Sequence, residues 1–181
     1  MPLLFIPEMR DKILNGGPCP KCTSGPIRVW PCSFCASTGW VYKTETRRLW
    51  DKPRVKEGSI QGAYCGGQPF SECPDCFGSG ALHGLNSALE VIPVCPVCHG
   101  KGRLQPFAKL HILKVWREPL GNMEDNPESN WREGFVDWYD FMQTFIELYR
   151  RKCEKWLGMK VARCSDLMCM PVWVVRFERG K

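Results

Sequence analysis

Apolar residues recur most regularly between about 134 and 156. There Phe135, Trp138, Met142, Phe145, Ile146 and Tyr149 follow one another at three- and four-residue steps. The pattern predicts a long helix whose aromatic face is core. A shorter helix is predicted over 6–16. Pro7 suits its first turn, Met9, Ile13 and Leu14 share a face, and Asn15-Gly16-Gly17 ends it. Elsewhere the apolar pattern is that of strands. Residues 41–50 are rich in threonine and aromatics, with polar residues in alternation. Residues 56–64 read as a turn feeding a short strand. Residues 107–118 read as a strand that stops where Pro119 restricts the residue before it. The run Val172–Glu178 is a closing strand. Residues 119–132 read as a polar loop and 157–170 as irregular.

Two segments, at about 17–40 and 65–105, have neither period and are rich in cysteine, glycine and small residues. Without them about 115 residues remain, a size suited to one compact unit. Their order is helix, strand, strand, strand, helix, strand. The chain of 181 residues therefore reads as a single domain, 1–181, with two inserts.

The inserts carry most of the twelve cysteines. The opening residues lack a basic stretch and are too short in apolar length for a secretory signal. The thiols are then expected to be reduced, in the cytoplasm, and to hold metal rather than form disulfides. No apolar run approaches the ~18 residues that span a bilayer, so no membrane partner is expected. Eight cysteines form four Cys-x-x-Cys pairs: Cys19/Cys22, Cys32/Cys35, Cys73/Cys76 and Cys95/Cys98. Four thiolates complete the tetrahedral shell of Zn²⁺ and leave no open position, so two structural zinc ions are predicted.

Nine residues separate the first two pairs and eighteen the last two, and either gap fits a loop returning to one ion. Sequential pairing is the simplest scheme. An interleaved scheme is the alternative, because Cys76–Gly80 and Cys98–Gly102 complete Cys-x-x-Cys-x-Gly-x-Gly repeats similar to those of J-protein chaperones. Cys32–Gly39 is a degenerate copy. In those chaperones the resemblance implies first-with-fourth and second-with-third pairing. Here 37 residues part the second and third pairs and no J-domain signature is present, which favours the sequential scheme. Cys65, Cys153, Cys164 and Cys169 are left as buried or free thiols. His83 and His99 lie near the second site, but its cysteine set is already complete.

The net charge of +6 favours anionic partners, nucleic acid first. The cations concentrate. Between residues 43 and 56 stand Lys43, Arg47, Arg48, Lys52, Arg54 and Lys56 against Glu45 and Asp51, with Trp40, Tyr42 and Trp50 interleaved. Arginine forks match phosphate and aromatic rings stack on exposed bases. The competing reading is a solvated sheet edge whose charges block aggregation.

Met9–Gly16 followed by Lys43-Thr44-Glu45-Thr46-Arg47-Arg48 resembles the helix, glycine and Lys-Thr-x-Thr-x-Arg opening of ASCH domains. The similarity continues through Arg54–Gly58, Val115–Leu120, Glu133-Gly134-Phe135 with its aromatic helix, and Val172–Glu178. The resemblance implies an α+β fold, a PUA-like mixed β-barrel with flanking helices, here with two zinc-binding insertions. It implies binding of nucleic acid, RNA or a modified nucleotide, for which the basic stretch offers Lys43, Arg47, Arg48, Trp50, Lys52 and Arg54 as candidate contact residues.

Some ASCH proteins hydrolyse the acetyl amide of N4-acetylcytidine with a lysine, a threonine and a glutamate, and others have been described as ribonucleases. The alternative implied function is thus a hydrolase, with Lys43, Thr46 and Glu133 matching that trio. Amide hydrolysis needs a nucleophile or activated water, a base and a stabilised oxyanion. Thr46 suits the first role, a desolvated Lys43 the second, and Glu133 the handling of water or proton. On one regular strand residues 43 and 46 would face opposite sides, so Lys43 must sit at the strand entry or on a bulge.

Overall fold

The computed structural model describes residues 3–19, 22, 32, 35, 38, 40–65, 71–73, 75–81, 94–95, 98–124, 126–161 and 163–180. The elements are β1 (Leu3–Phe5), α1 (Pro7–Leu14), β2 (Gly17–Pro18), β3 (Trp40–Val41), β4 (Glu45–Arg48), β5 (Ile60–Cys65), β6 (Ala108–Pro119), α2 (Pro127–Glu133), α3 (Trp138–Leu157) and β7 (Pro171–Arg179). The α+β class follows, as expected, and so does the order predicted for the core. Three elements were not predicted: β1, α2 and the two-residue β2 in the first insert. The run Leu3-Leu4-Phe5 is a short strand, too brief to show a period. The polar loop expected over 119–132 contains α2. Its signals are conventional: Asn126 caps Ser129 N at 3.1 Å, Pro127 opens the first turn, and Gly134 closes the helix at φ 94°.

Five strands form one mixed sheet in the order β1-β5-β6-β7-β4, curled into a half-barrel. β1 runs parallel to β5 and the other pairs are antiparallel. A register shift at Ile112/Lys114 in β6 supplies a bulge that strengthens the curl. The open edges β1 and β4 are tied by a side chain: Arg48 Nη2 donates to Leu4 O at 2.6 Å, with its guanidinium 5.1 Å from the Phe5 ring centre. β2 and β3 form a separate two-stranded ribbon at the foot of the first insert.

β7 alternates its side chains between two cores. Val175 and Phe177 join Leu3, Ile13, Leu110 and Ile112 beneath α1. Val172 and Val174 join Phe141, Met142, Phe145 and Leu167 beneath α3. Phe135, between α2 and α3, packs against both. The strand expected over 41–50 is broken. Lys43 N bonds to Lys12 O at 3.1 Å and Thr44 N to Arg132 O at 2.9 Å, so residues 42–44 are held by the ends of α1 and α2 and β4 begins only at Glu45.

Candidate functional site

Lys43 therefore enters the fold ahead of the strand, the position expected if it and Thr46 are to face the same side. Lys43, Thr46, Arg47, Arg48 and Glu133 line one cavity of about 220 Å³. Its opposite wall is apolar and aromatic: Phe135, Phe141, Phe145, Leu148 and Tyr149. Phe141 and Phe145 are buried, as the aromatic periodicity predicted, yet the same rings face this cavity. The sequence could not separate the two roles, since a core ring and a cavity-lining ring share one helical period.

Lys43 is 4% exposed. Its Nζ donates to Glu133 Oε1 at 3.2 Å and to the Glu133 backbone carbonyl. Burial pulls its pKa down to about 8, while the Glu133 carboxylate acts in the opposite sense. The C-terminal ends of α1 and α2 both meet here, and their carbonyls favour cations. Gly134 makes the approach possible. A Cβ at this left-handed position would stand 3.0 Å from Met9 Sδ and 3.4 Å from Lys43 Cδ.

Arg47 is buried too, with its guanidinium committed to protein. It reaches Glu133 Oε2 at 3.2 Å, Glu118 Oε1 at 2.8 Å and Ser129 Oγ at 3.2 Å. Its backbone N donates to Glu133 Oε1 at 3.1 Å. Arg47 thus braces the cavity wall rather than facing solvent. Glu45, fully buried, is held by Arg176 at 2.5 Å. The network was only partly legible: Glu45, Glu118 and Glu133 all belong to stretches that carry the resemblance, but nothing in the sequence brings them together on Arg47. Trp50 is half-buried and lines a different groove, while Lys52 and Arg54 are exposed on the turn after β4.

Each insert gathers its own four cysteines. Cys19, Cys22, Cys32 and Cys35 form one group and Cys73, Cys76, Cys95 and Cys98 the other, all sulfurs of a group lying within 4.8 Å of one another. The pairing is sequential. Individual S···S distances are 4.0 and 3.6 Å in the first group and 3.7 and 3.6 Å in the second. A tetrahedral Zn²⁺ with bonds near 2.3 Å would set these edges at about 3.8 Å. The donor set and its spacing fit such an ion.

In the second group the two Cys-x-x-Cys-x-Gly-x-Gly repeats face each other. Cys73 N bonds to Gly102 O and Cys95 N to Gly80 O, each at 2.9 Å. A Cβ on Gly80 would stand 2.4 Å from Gly100 O, and one on Gly102 2.2 Å from Gly78 O. Gly80 N also donates to Cys76 Sγ at 3.2 Å. Burial raises the pKa of Cys76, but this bond and the neighbouring thiols bring it down to about 7. In the degenerate copy Thr38 Oγ1 bonds to Cys35 O at 2.7 Å, as Ser79 Oγ bonds to Cys76 O. Cys65, Cys153, Cys164 and Cys169 are free thiols, Cys153 buried and Cys169 exposed. His99 is exposed and outside the sulfur group, and His83 lies outside the described residues. Among the described residues no helix is long and apolar enough to cross a membrane.

No family model matches the chain, and no curated protein matches it. Among solved structures it is similar to an ASCH domain from Lactobacillus crispatus JV V101, the family whose motifs the sequence resembles. Identity is 14% and the TM-score 0.38, over 76% of this chain and 64% of that one, so the chain spans less than two thirds of its length.

Proposed function

We propose that the cavity binds one nucleotide of RNA, or a modified nucleotide, on a scaffold braced by two structural zinc ions. The observation that carries this reading is the convergence of Lys43, Thr46 and Glu133 opposite an aromatic wall in about 220 Å³. A flat heterocycle suits the rings, and its polar edge suits donors and acceptors fixed on the facing wall. The size fits a base or nucleoside, not a duplex. The zinc ions, each held by one Cys₄ group, would fix inserts too small to bury a core of their own.

The test is titration of the purified protein with cytidine, uridine, N4-acetylcytidine and a short single-stranded RNA, followed by NMR of the aromatic and methyl resonances. Saturable shifts at Phe135, Phe145 and Tyr149, lost in Lys43→Met, are expected. A folded protein that binds none of these would overturn the reading.

One observation favours the hydrolase alternative. With a pKa near 8, Lys43 is partly neutral at mildly alkaline pH and able to accept a proton. Against it, no hydrogen bond joins Lys43 to Thr46 among the described residues, and both Glu133 oxygens already accept from cations. Binding is therefore the primary reading. Chromatography of N4-acetylcytidine after incubation separates the two, since hydrolysis must release cytidine and acetate.

A further inference from the structure

The cavity is one end of a longer seam. Its walls include Thr46–Arg48 of β4 on one side and Phe145, Leu148 and Tyr149 of α3 on the other. The same two segments continue together. Leu49–Asp51, just past β4, and Lys152, Lys155 and Trp156 of α3 wall a second groove of about 580 Å³, joined by Arg117 of β6. A shallow depression of about 460 Å³ on α3 itself, lined by residues 147–152, shares Leu148 and Tyr149 with the cavity and Lys152 with the groove. Lys152 spans the seam, donating to Leu49 O at 2.8 Å.

Helical geometry explains the continuity. Phe145, Tyr149, Lys152 and Trp156 follow at steps of four, three and four residues and so form one stripe. From 145 to 156 the stripe rises about 17 Å. Its first half faces the core and cavity, and its second half is exposed beside Cys153 and Leu157, which still pack on the core. Trp156 is 48% exposed and Leu148 55%.

The chemistry of the far end differs from that of an ordinary solvated helix end. The groove is lined by three cations (Arg117, Lys152, Lys155) against one acid, Asp51. Two tryptophans, Trp50 and Trp156, stand among them. Cations flanking indole faces are what single-stranded nucleic acid requires: phosphates meet the charges and unpaired bases stack on the rings. An apolar peptide would have no use for the cations, and a duplex would present no free base face.

We infer that the Trp50–Trp156 groove is a second nucleic-acid subsite, taking a nucleotide that flanks the one in the cavity. The ligand is then a single strand that crosses Lys152, not a free nucleoside. The groove's own chemistry carries the subsite, and its place beside the target nucleotide rests on the reading of the cavity.

The experiment compares an eight-nucleotide single-stranded RNA, the same RNA as a duplex, and free cytidine. They are titrated into the full chain, Trp156→Ala and the double variant Arg117→Gln/Lys155→Gln, each checked for wild-type melting. Trp156→Ala should weaken the single strand by about five- to hundredfold, the range for one lost base stack. The double variant should reduce the slope of log K against log salt by about 1.4, the value for two lost contacts to a single strand. Cytidine binding should not change.

Folded variants that hold the single strand with unchanged affinity and slope would overturn the subsite. So would a wild-type chain that binds cytidine alone, which leaves the cavity reading intact, or one that prefers the duplex, which removes both. A wild-type chain that binds the single strand through Trp156 but not cytidine would uphold the groove and remove the cavity.

Discussion

Lys43 and Glu133, ninety positions apart, meet twice: the ammonium donates to the carboxylate at 3.2 Å and to the same residue's backbone carbonyl. Both are buried. The contact ties the segment that precedes β4 to the last residue of α2, and so fixes one wall of the cavity. Because Arg47 shares the same carboxylate, Glu133 is the anion around which two buried cations are organised.

Lys43 should titrate near pH 8, against 10.5 for an ordinary lysine. Between these values the unfolded chain holds a proton that the folded chain has lost, so this group's contribution to stability rises with pH across that window. Below about 8 the cost of the buried ammonium is fully present. Compared with Lys43→Met, the wild-type chain should gain up to about 1.4 kcal/mol per pH unit as pH rises from 8 toward 10. Urea unfolding of both proteins measures this, and ¹³Cε shifts of Lys43 give the midpoint directly. A midpoint at the ordinary value would contradict the buried geometry.

Replacing Glu133 by Gln keeps the shape and removes the charge. It should destabilise the fold by about 3–5 kcal/mol, since Lys43 and Arg47 would be left as buried cations with weaker partners. The carboxylate also holds the lysine pKa up, so Lys43 in this variant should titrate below 8. Thermal melting and the same ¹³Cε titration test the two halves separately.

Freshly purified, reduced protein should carry about two zinc ions per chain, one for each group of four sulfurs. Cys19→Ser/Cys22→Ser should release one and leave the other. Elemental analysis reads the count, and release of both would show that the sites depend on each other.

Gly102→Ala should cost the second insert its metal, because the new Cβ would lie 2.2 Å from the backbone oxygen of Gly78. Gly80→Ala should act alike, at 2.4 Å from Gly100 O. Gly17→Ala meets nothing within 4 Å and serves as the control. The core should melt as before in all three, with one zinc ion lost in the first two and none in the third.

Much of this arrangement was legible one-dimensionally. The long aromatic helix, the short helix ended by glycine, the later strands and the four cysteine pairs all announce themselves by period, by cap or by spacing. Each depends on interactions within a few residues, or on a ligand set that one ion can satisfy. Even α2 had its signals in Asn126, Pro127 and Gly134. The polar composition of residues 119–132 outweighed them.

The role of each residue in the basic stretch was not legible. Charge and spacing placed Arg47, Arg48, Trp50, Lys52 and Arg54 together as one contact surface, but the fold sends them to different places. Arg47 is buried among carboxylates, Arg48 fastens β1 to β4, Trp50 lines a separate groove, and Lys52 and Arg54 are exposed on the turn after β4. The reason is physical. A buried cation is tolerated only where an anion meets it, and the carboxylates that accept hydrogen bonds from the Arg47 guanidinium, Glu118 and Glu133, stand 71 and 86 residues away. Local sequence determined which elements form and which thiols could share an ion. Tertiary packing decided which charges are hidden, which rings line a cavity, and where a ligand has room.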